Sequence, residues 1–215
     1  MTPEILYREG GVIVCLKPGG VLCEGGQGEN MLSLLGALTG SEIYPVHRLD
    51  RETAGVMAFA ESSAAAAFLS KQISSGELKK SYFAVTAQGI DPEEGEMNDL
   101  LFRDSAKNKS YVVKRERRGV RKASLEYSLK AQNEGLYLWR VNLRTGRTHQ
   151  IRAQFASRGA PLYGDTRYGA KQKDGFGLFA YSLTLKLPSS AEQREFAVMP
   201  KLTEQPFCNF GEWLK

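Results

Sequence analysis

The clearest hydrophobic pattern in the chain lies between residues 136 and 144. Every second residue from Tyr137 to Leu143 is large and apolar, and the intervening positions include Arg140, Asn142 and Arg144. Successive side chains of a β-strand point to opposite faces, so this alternation predicts a strand with one buried face.

Shorter apolar segments bounded by turn residues predict the remaining strands. They cover residues 5–7, 12–16, 55–60, 80–86, 111–113, 124–131, 178–187 and 194–198. The polar segment 91–99 has no such pattern and is predicted to be a loop.

Three segments have helical character. Residues 31–38 follow Asn30, a possible N-cap; residues 63–73 are rich in alanine; and residues 149–159 follow Thr148, the expected N-cap. Strands therefore outnumber helices and do not alternate with them regularly. This order predicts a single α+β domain over residues 1–215, with a mixed, largely antiparallel central sheet and flanking helices and loops.

Positive charge is concentrated in one part of the chain. The net charge is +5, yet residues 103–152 hold fourteen basic and four acidic residues, and the rest of the chain is net negative. Such a segment favours a polyanionic partner, because a surface that serves only solubility intersperses the two signs. A solubilising face is the alternative.

Cysteine usage and hydropathy indicate the compartment. Cys15, Cys23 and Cys208 are odd in number and form no C-x-x-C pair, which favours a reducing environment. We find no signal-like N-terminus and no apolar run of membrane length. We therefore expect a soluble, cytoplasmic protein.

Several common chemistries lack their sequence signatures. The two histidines, His47 and His149, have no zinc-like spacing to other ligands, and no acidic cluster suggests magnesium. Neither a phosphate-binding loop, a dinucleotide fingerprint nor a G-x-S-x-G nucleophile elbow occurs. We expect no bound metal.

Asp50 is the strongest catalytic candidate from the residues themselves. It lies between Arg48 and Arg51, and opposite charge keeps a carboxylate ionised, as a nucleophile requires. An ion pair that pins a loop would explain the same pattern. A second cluster, with Arg147, His149 and Arg152 after the predicted strand 136–144, could converge with the first on one cleft.

Five ordered motifs give the chain a family resemblance. HRLDRETAG resembles the H-R-L-D-x-x-T-S-G signature of RluA-type RNA pseudouridine synthases, with Ala54 in place of the usual Ser. The others are KPGGV from Lys17, KSYFAV from Lys80, RTHQIR from Arg147, and PLYGDTRYG over residues 161–169. Because the catalytic-domain motifs begin almost at residue 5, the resemblance implies a catalytic domain without an N-terminal S4 domain.

The resemblance implies a mechanism with no cofactor. Asp50 would be the catalytic aspartate, attacking C1′ or removing the 2′ proton of a uridine already in RNA. Tyr82 would stack on the uracil, Arg152 would pair with Asp50, and Ile151 would form part of the pocket wall. Arg48 would insert into the space left by the extruded nucleotide.

The RNA itself would be held by basic and polar side chains. The partner implied is structured RNA, ribosomal or transfer, bound by a monomer. The predicted RNA-binding residues are Arg48, Arg51, Lys17, Lys80, Arg147, His149, Lys114, Arg115, Arg117 and Arg118. For Lys17 a loop contact is as acceptable as a phosphate contact, and both histidines are interpreted as structural.

Two other functions stay open at this point. A non-catalytic RNA-binding module or RNA-folding helper on the same scaffold would need the basic segment but not Asp50. An RNA-cleaving enzyme could use His47 and His149 as base and acid, although it would leave the KPGGV and PLYGDTRYG motifs unexplained.

Overall fold

The computed structural model of the protein describes residues 2–188 and 192–214. Its strands are β1 (Glu4–Glu9), β2 (Val12–Lys17), β3 (Tyr44–Pro45), β4 (Ala54–Ala60), β5 (Lys79–Thr86), β6 (Glu94–Asp104), β7 (Lys109–Val113), β8 (Val120–Asn133), β9 (Leu136–Leu143), β10 (Leu178–Lys186) and β11 (Gln193–Ala197). Its α-helices are α1 (Met31–Thr39), α2 (Ser63–Ser75) and α3 (Gln150–Ser157), with short 3-10 helices at Thr166–Tyr168 and Phe207–Phe210.

The chain divides into two compact units. Unit 1 comprises Met1–Lys80 and Phe179–Val198, and unit 2 comprises Ser81–Leu178 and Met199–Lys215. The single domain expected from the sequence stays a prediction. Among the described residues, every helix is too short or too polar to cross a membrane.

The sheet of unit 1 has the strand order β1-β2-β4-β10, with β11 paired to β10 and β3 paired to β4. All its pairs are antiparallel except β10 with β4. That parallel pair brings Gly55 against Ala180, and a Cβ at Gly55 would collide with the Ala180 backbone. Gly55 also has φ +136°, so glycine is required there.

The caps of α1 and α2 follow the sequence prediction. The Asn30 side chain accepts hydrogen bonds from the backbone N–H groups of Leu32 and Ser33, at 3.0 and 3.1 Å. The Ser33 hydroxyl completes a capping box by accepting from the Asn30 N–H. Ser62 caps α2 by accepting from Ala65 N–H at 3.2 Å. The predicted Asn30 cap is confirmed.

The sheet of unit 2 has the order β5-β9-β8-β6-β7. The β6–β7, β6–β8 and β8–β9 pairs are antiparallel. Its core is centred on Trp139, which is fully buried and makes edge contacts with the rings of Tyr127 and Phe155. The indole N–H donates to Thr86 Oγ1 at 2.8 Å. Both units therefore confirm the α+β class with mixed, largely antiparallel pairing.

One prediction about this sheet was wrong. Segment 91–99 was expected to be a loop, but β6 begins at Glu94 and runs for 11 residues. Only Met97 and Leu101 are buried along it, so its sequence lacks a strict alternation. This part of the strand forms because β8 pairs with it from Glu94 onward, whereas β7 pairs only with residues 100–104. Pairing of this kind is invisible in a local pattern.

Candidate active site

Asp50 lies in the loop that joins β3 to β4 in unit 1 and is half-buried. Its own carbonyl accepts a hydrogen bond from Thr53 N–H at 3.1 Å, which closes a tight turn just before β4. Thr53 directly precedes β4, and Ala54 is the first residue of that strand. The carboxylate is therefore carried on a turn attached to the core.

The residue before Asp50 is held by a thiol. Cys23 Sγ accepts from Leu49 N–H and donates to Leu49 O, both at 3.2 Å. Both Cys23 and Leu49 are buried. The thiol therefore satisfies both the N–H and the carbonyl of Leu49 and fixes this residue to the core.

The residue after Asp50 is held from the opposite side of the turn. The Arg51 carbonyl accepts from Gly20 N–H at 2.8 Å and from Lys17 Nζ at 3.1 Å. The Arg51 guanidinium Nε–H donates in return to Gly20 O at 2.9 Å. Both chain neighbours of Asp50 are thus anchored, and the KPGGV motif supplies one of the anchors.

Lys17 is a loop contact. Its side chain is fully buried, and Nζ donates to Pro18 O at 2.8 Å and to Val21 O at 2.6 Å as well as to Arg51 O. These three bonds use all three donors of the ammonium. Burial lowers the pKa of Lys17 to about 8. The geometry argues against the predicted phosphate contact, which would require these bonds to break.

His47 supports the same turn from behind. Its Nε2 accepts a hydrogen bond from Ala58 N–H at 3.1 Å, so the ring is neutral with its proton on Nδ1. Burial, with the nearby charge of Lys80, lowers the pKa of His47 well below its usual value. The interpretation of His47 as a structural residue that holds the loop is confirmed.

The other unit 1 candidates differ in exposure. Arg48 and Arg51 are exposed, as a phosphate or base contact requires. Lys80 is half-buried, and burial lowers its pKa. Arg48 and Arg51 therefore present accessible guanidinium groups beside Asp50 in the sequence, whereas Lys80 is less accessible.

Three unit 2 candidates are buried. Tyr82, on β5, is 5% exposed, and Ile151 and Arg152, in the first turn of α3, are each 3% exposed. A buried arginine needs a charged partner, because an unpaired charge in the interior is costly. The predicted pairing of Arg152 with Asp50 stays a prediction.

Arg152 has an ionic partner in unit 2 that the sequence did not reveal. Its Nε–H donates to Asp165 Oδ2 at 2.7 Å, and Nη2 donates to Oδ1 at 2.9 Å. The two side chains are 4% and 1% exposed. Asp165 belongs to the PLYGDTRYG motif, which was the only signal for it.

The start of α3 corrects a second prediction. The N-cap is His149, not Thr148; His149 has φ +53° and makes no side-chain cap bond. The Gln150 side chain instead organises the approach to the helix, accepting from Arg147 N–H at 3.0 Å and from the Thr145 hydroxyl at 2.8 Å. The Gln150 side chain therefore fixes the segment before the helix, but it does not cap α3.

Tyr168, from the same motif as Asp165, connects α3 to β7. Its hydroxyl accepts from Ser110 N–H at 2.8 Å and lies 3.1 Å from both Ser110 O and His149 Nδ1. Its ring centroid lies 5.2 Å from the guanidinium carbon of Arg152. His149 is only 8% exposed, so this geometry argues for a structural role over the predicted RNA contact.

The basic β7–β8 loop, residues 114–118, connects two strands that lie on opposite sides of β6 and is exposed throughout. It presents four of the predicted RNA contacts: Lys114, Arg115, Arg117 and Arg118. The Arg117 guanidinium lies 4.6 Å from the centroid of the Phe102 ring, which orients it without burying its charge. Arg147 is also exposed, and its Nε–H donates to Lys122 O at 3.0 Å.

Arg144 differs from these arginines. It pairs with Glu96 at 2.6 Å and also with Glu126, so its charge is neutralised within unit 2. In the part of the chain that the structure describes, we find no group of three or more His, Cys, Asp or Glu side chains able to hold a metal ion.

A sequence model of the family described as RNA pseudouridylate synthase matches residues 11–157. That match covers more than half of the chain and includes Asp50, Tyr82 and Arg152. The protein therefore belongs to the RNA pseudouridylate synthase family, and the resemblance to its RluA type is confirmed by the named relatives.

Three curated relatives illustrate the range of the family. An uncharacterized RNA pseudouridine synthase of Bacillus subtilis, YhcT, is 33% identical over 79% of this chain and 59% of its own. The tRNA pseudouridine synthase C of Pasteurella multocida is 32% identical over 79% and 75%. An uncharacterized RNA pseudouridine synthase of Aquifex aeolicus is 32% identical over 99% and 73%. The chain spans about three fifths of the length of the first of these.

Solved structures share the fold. The human RNA pseudouridylate synthase domain containing 4 protein has a TM-score of 0.78 and 22% identity, over 98% of this chain and 92% of its own. The human domain containing 1 protein also has a TM-score of 0.78, with 19% identity over 96% and 86%. At this identity the likeness concerns the fold alone.

Proposed function

We propose that the protein converts specific uridines of structured RNA to pseudouridine. The observation that carries the proposal is that both chain neighbours of Asp50, Leu49 and Arg51, are anchored by hydrogen bonds. A carboxylate that served only as a surface ion pair would need no such support, whereas a reacting group must be held in place.

The reaction breaks the bond between C1′ of the ribose and N1 of uracil and forms a bond from C1′ to C5. In one route the Asp50 carboxylate attacks C1′ and the uracil leaves; in the other it removes the 2′ proton to give a glycal. In both routes the detached uracil turns and C5 bonds to C1′, which releases Asp50 from C1′ in the first route and is accompanied by return of the 2′ proton in the second. The C5 proton is then released to water, and N1 takes up a proton. The reaction is an isomerisation, so it consumes no oxidant or energy source.

Four residues are assigned supporting roles. Tyr82 stacks on the uracil and confines it while it is detached; such a stack is worth about 1–3 kcal/mol. Arg152 pairs with Asp50 and keeps it ionised. Ile151 forms part of the apolar wall, and Arg48 supports the extruded nucleotide. The burial of Tyr82, Ile151 and Arg152 supports these roles because a water-poor site strengthens charge interactions.

The proposed RNA contacts are Arg48 and Arg51 in unit 1, and the basic β7–β8 loop and Arg147 in unit 2. Exposure of all these side chains supports contacts to the phosphate backbone, which position an RNA without reading its sequence. Transfer RNA or ribosomal RNA is the substrate we propose, because the relatives include enzymes named for tRNA and for the ribosomal large subunit.

The proposal also includes a cytoplasmic monomer. The free thiols of Cys15, Cys23 and Cys208 suit a reducing compartment. Cys15 is a core residue, and burial raises the pKa of its thiol to about 12, so it is not a nucleophile.

The two alternatives are less favoured. A binding module would not need the anchored turn around Asp50. A cleaving enzyme would need His47 as an acid or base, but its Nε2 is occupied by Ala58 N–H and its pKa lies well below the usual value. The family match extends over both Asp50 and the RTHQIR motif, which a cleaving enzyme does not explain.

Release of tritium from RNA labelled at C5 of uridine tests the proposal. The wild-type protein should release tritium to water from transfer or ribosomal RNA transcripts and leave their length unchanged on a denaturing gel. Shortened RNA would support cleavage, and binding without tritium release from either RNA would support a non-catalytic module.

A further inference from the structure

Arg152 is gripped along one edge of its guanidinium. Asp165 binds the Nε and Nη2 positions through two parallel bonds of 2.7 and 2.9 Å. Paired bonds of this kind fix both the position and the plane of the guanidinium. The direction of the remaining Nη1 end is therefore set by Asp165.

Asp165 is itself held rigidly. Its N–H donates to Leu162 O at 3.0 Å, and its carbonyl accepts from the N–H groups of Tyr168 and Ala170, at 3.0 and 3.1 Å. The preceding Gly164 has φ +75°, and a Cβ there would collide with the backbone of Gly175. The turn around Asp165 is therefore closely packed against its neighbours.

Aromatic rings complete the surroundings of the guanidinium. The centroids of Tyr168 and Phe176 lie 5.2 and 5.3 Å from its central carbon, within the range of cation–π attraction. The Tyr168 hydroxyl is anchored to the backbone of Ser110. The motif that contains Asp165 and Tyr168 thus builds a cradle for one arginine.

We propose that Asp165 is a positioning residue. It sets the orientation in which Arg152 pairs with the reacting carboxylate. The inference rests on the proposed function, since it assigns Asp165 a part in that reaction through Arg152. Asp165 does not touch the substrate in this account. Its effect should therefore appear in kcat, while binding of RNA by the exposed basic residues continues.

The test compares Asp165→Asn with wild type in the tritium-release assay. Asparagine keeps the size of the side chain but replaces one carboxylate oxygen by an NH2 group, which cannot accept from the guanidinium. We expect kcat to fall by about tenfold to a hundredfold, as misplacement of a reacting group does, while KM for RNA changes less than about threefold. Asp165→Glu, which keeps the charge, should recover part of the loss.

An ion pair next to the end of α3 provides a control. Arg158 follows α3 and pairs with Asp99 at 3.0 Å, also within unit 2. Asp99→Asn removes that ion pair without touching Arg152, and its kcat should stay within about twofold of wild type. Thermal melting of all three variants reports whether each is folded at the assay temperature.

The outcomes separate the inference from the proposed function. Normal kcat in folded Asp165→Asn, or an equal loss in Asp99→Asn, would overturn the positioning role while wild-type tritium release still upheld the reaction. Absence of release from the wild-type protein would overturn both. If Asp165→Asn does not fold, Asp165→Glu decides: a lower kcat with unchanged KM supports the role, and a normal kcat contradicts it.

Discussion

Arg152 and Asp165 form an ion pair whose side chains are almost completely buried, with Nε and Oδ2 separated by 2.7 Å. Removing one partner of such a pair leaves a charge without compensation, at a cost of about 3–5 kcal/mol. A pair of apolar residues of similar size would fold as well or better. Retention of two charges in the interior of unit 2 is therefore explained better by a role for the guanidinium than by stability.

The turn that carries Asp50 makes a prediction about pH. His47 is neutral in the folded protein because Nε2 accepts from Ala58 N–H, and its pKa is far below 6.5. In the unfolded chain the histidine takes up a proton as the pH falls below about 6.5, and the folded protein does not. The free energy of unfolding should therefore fall by about 1.4 kcal/mol per pH unit below 6.5 through this group.

The measurement is urea unfolding between pH 7.5 and 5, compared with His47→Gln. Glutamine offers an oxygen near the position of Nε2 but does not titrate in this range. The free energy of unfolding of the His47→Gln variant should depend less steeply on pH. The slope should be smaller by about 1.4 kcal/mol per pH unit, which corresponds to one proton. Equal slopes in the two proteins would show that His47 titrates normally in the fold.

Tyr82 provides a prediction about catalysis. Replacement by Leu removes the aromatic face but keeps an apolar side chain, so kcat should fall by more than about tenfold while RNA affinity changes little. Tyr82→Phe keeps the ring and is the matched control for stacking. Tyr82 is 5% exposed, so both variants are assayed well below their melting temperatures. Normal turnover in Tyr82→Leu would rule out the stacking role.

The basic β7–β8 loop predicts a change in salt dependence. Arg115 and Arg118 are exposed there. The double substitution Arg115→Gln, Arg118→Gln should weaken RNA binding at low salt. It should also reduce the slope of log affinity against log salt by about 1.4 to 1.8, if each contacts one phosphate.

The control removes an equal number of positive charges elsewhere in unit 2. Lys171 and Lys173 are exposed and lie outside the predicted binding surface. Their double substitution to Gln should leave the slope nearly unchanged. Identical effects of the two double variants would indicate attraction by net charge and not a contact at the β7–β8 loop.

Local patterns in the sequence were sufficient for much of this fold. The alternation around Trp139 predicted β9, and Asn30 predicted the start of α1. Segment 91–99 was misread because this part of β6 owes its conformation to pairing with β8, not to its own residues. Thr148 was misread because α3 begins one residue later, after His149 in a left-handed conformation, which the residue types do not predict.

The site shows the same division. Asp50 and Tyr82 are predicted site residues that rest on motifs, and the charges around Asp50 in the sequence also suggested chemistry. The anchoring of Leu49 by Cys23 could not be predicted, because the residues are 26 positions apart and only the fold brings them together. For Lys17 the sequence left a loop contact and a phosphate contact open, because a lysine is usually exposed; only the structure shows that its ammonium donates to three carbonyls.

The central claim is most directly tested by tritium release from C5-labelled uridine RNA with Asp50→Asn. Asparagine preserves the size of the side chain and leaves the backbone anchors of the turn in place, but it is neither a nucleophile nor a base. Turnover should disappear while the affinity for RNA stays within about threefold of wild type, because the exposed basic residues are unchanged. Substantial release of tritium by this variant would contradict the assignment of Asp50 as the reacting group.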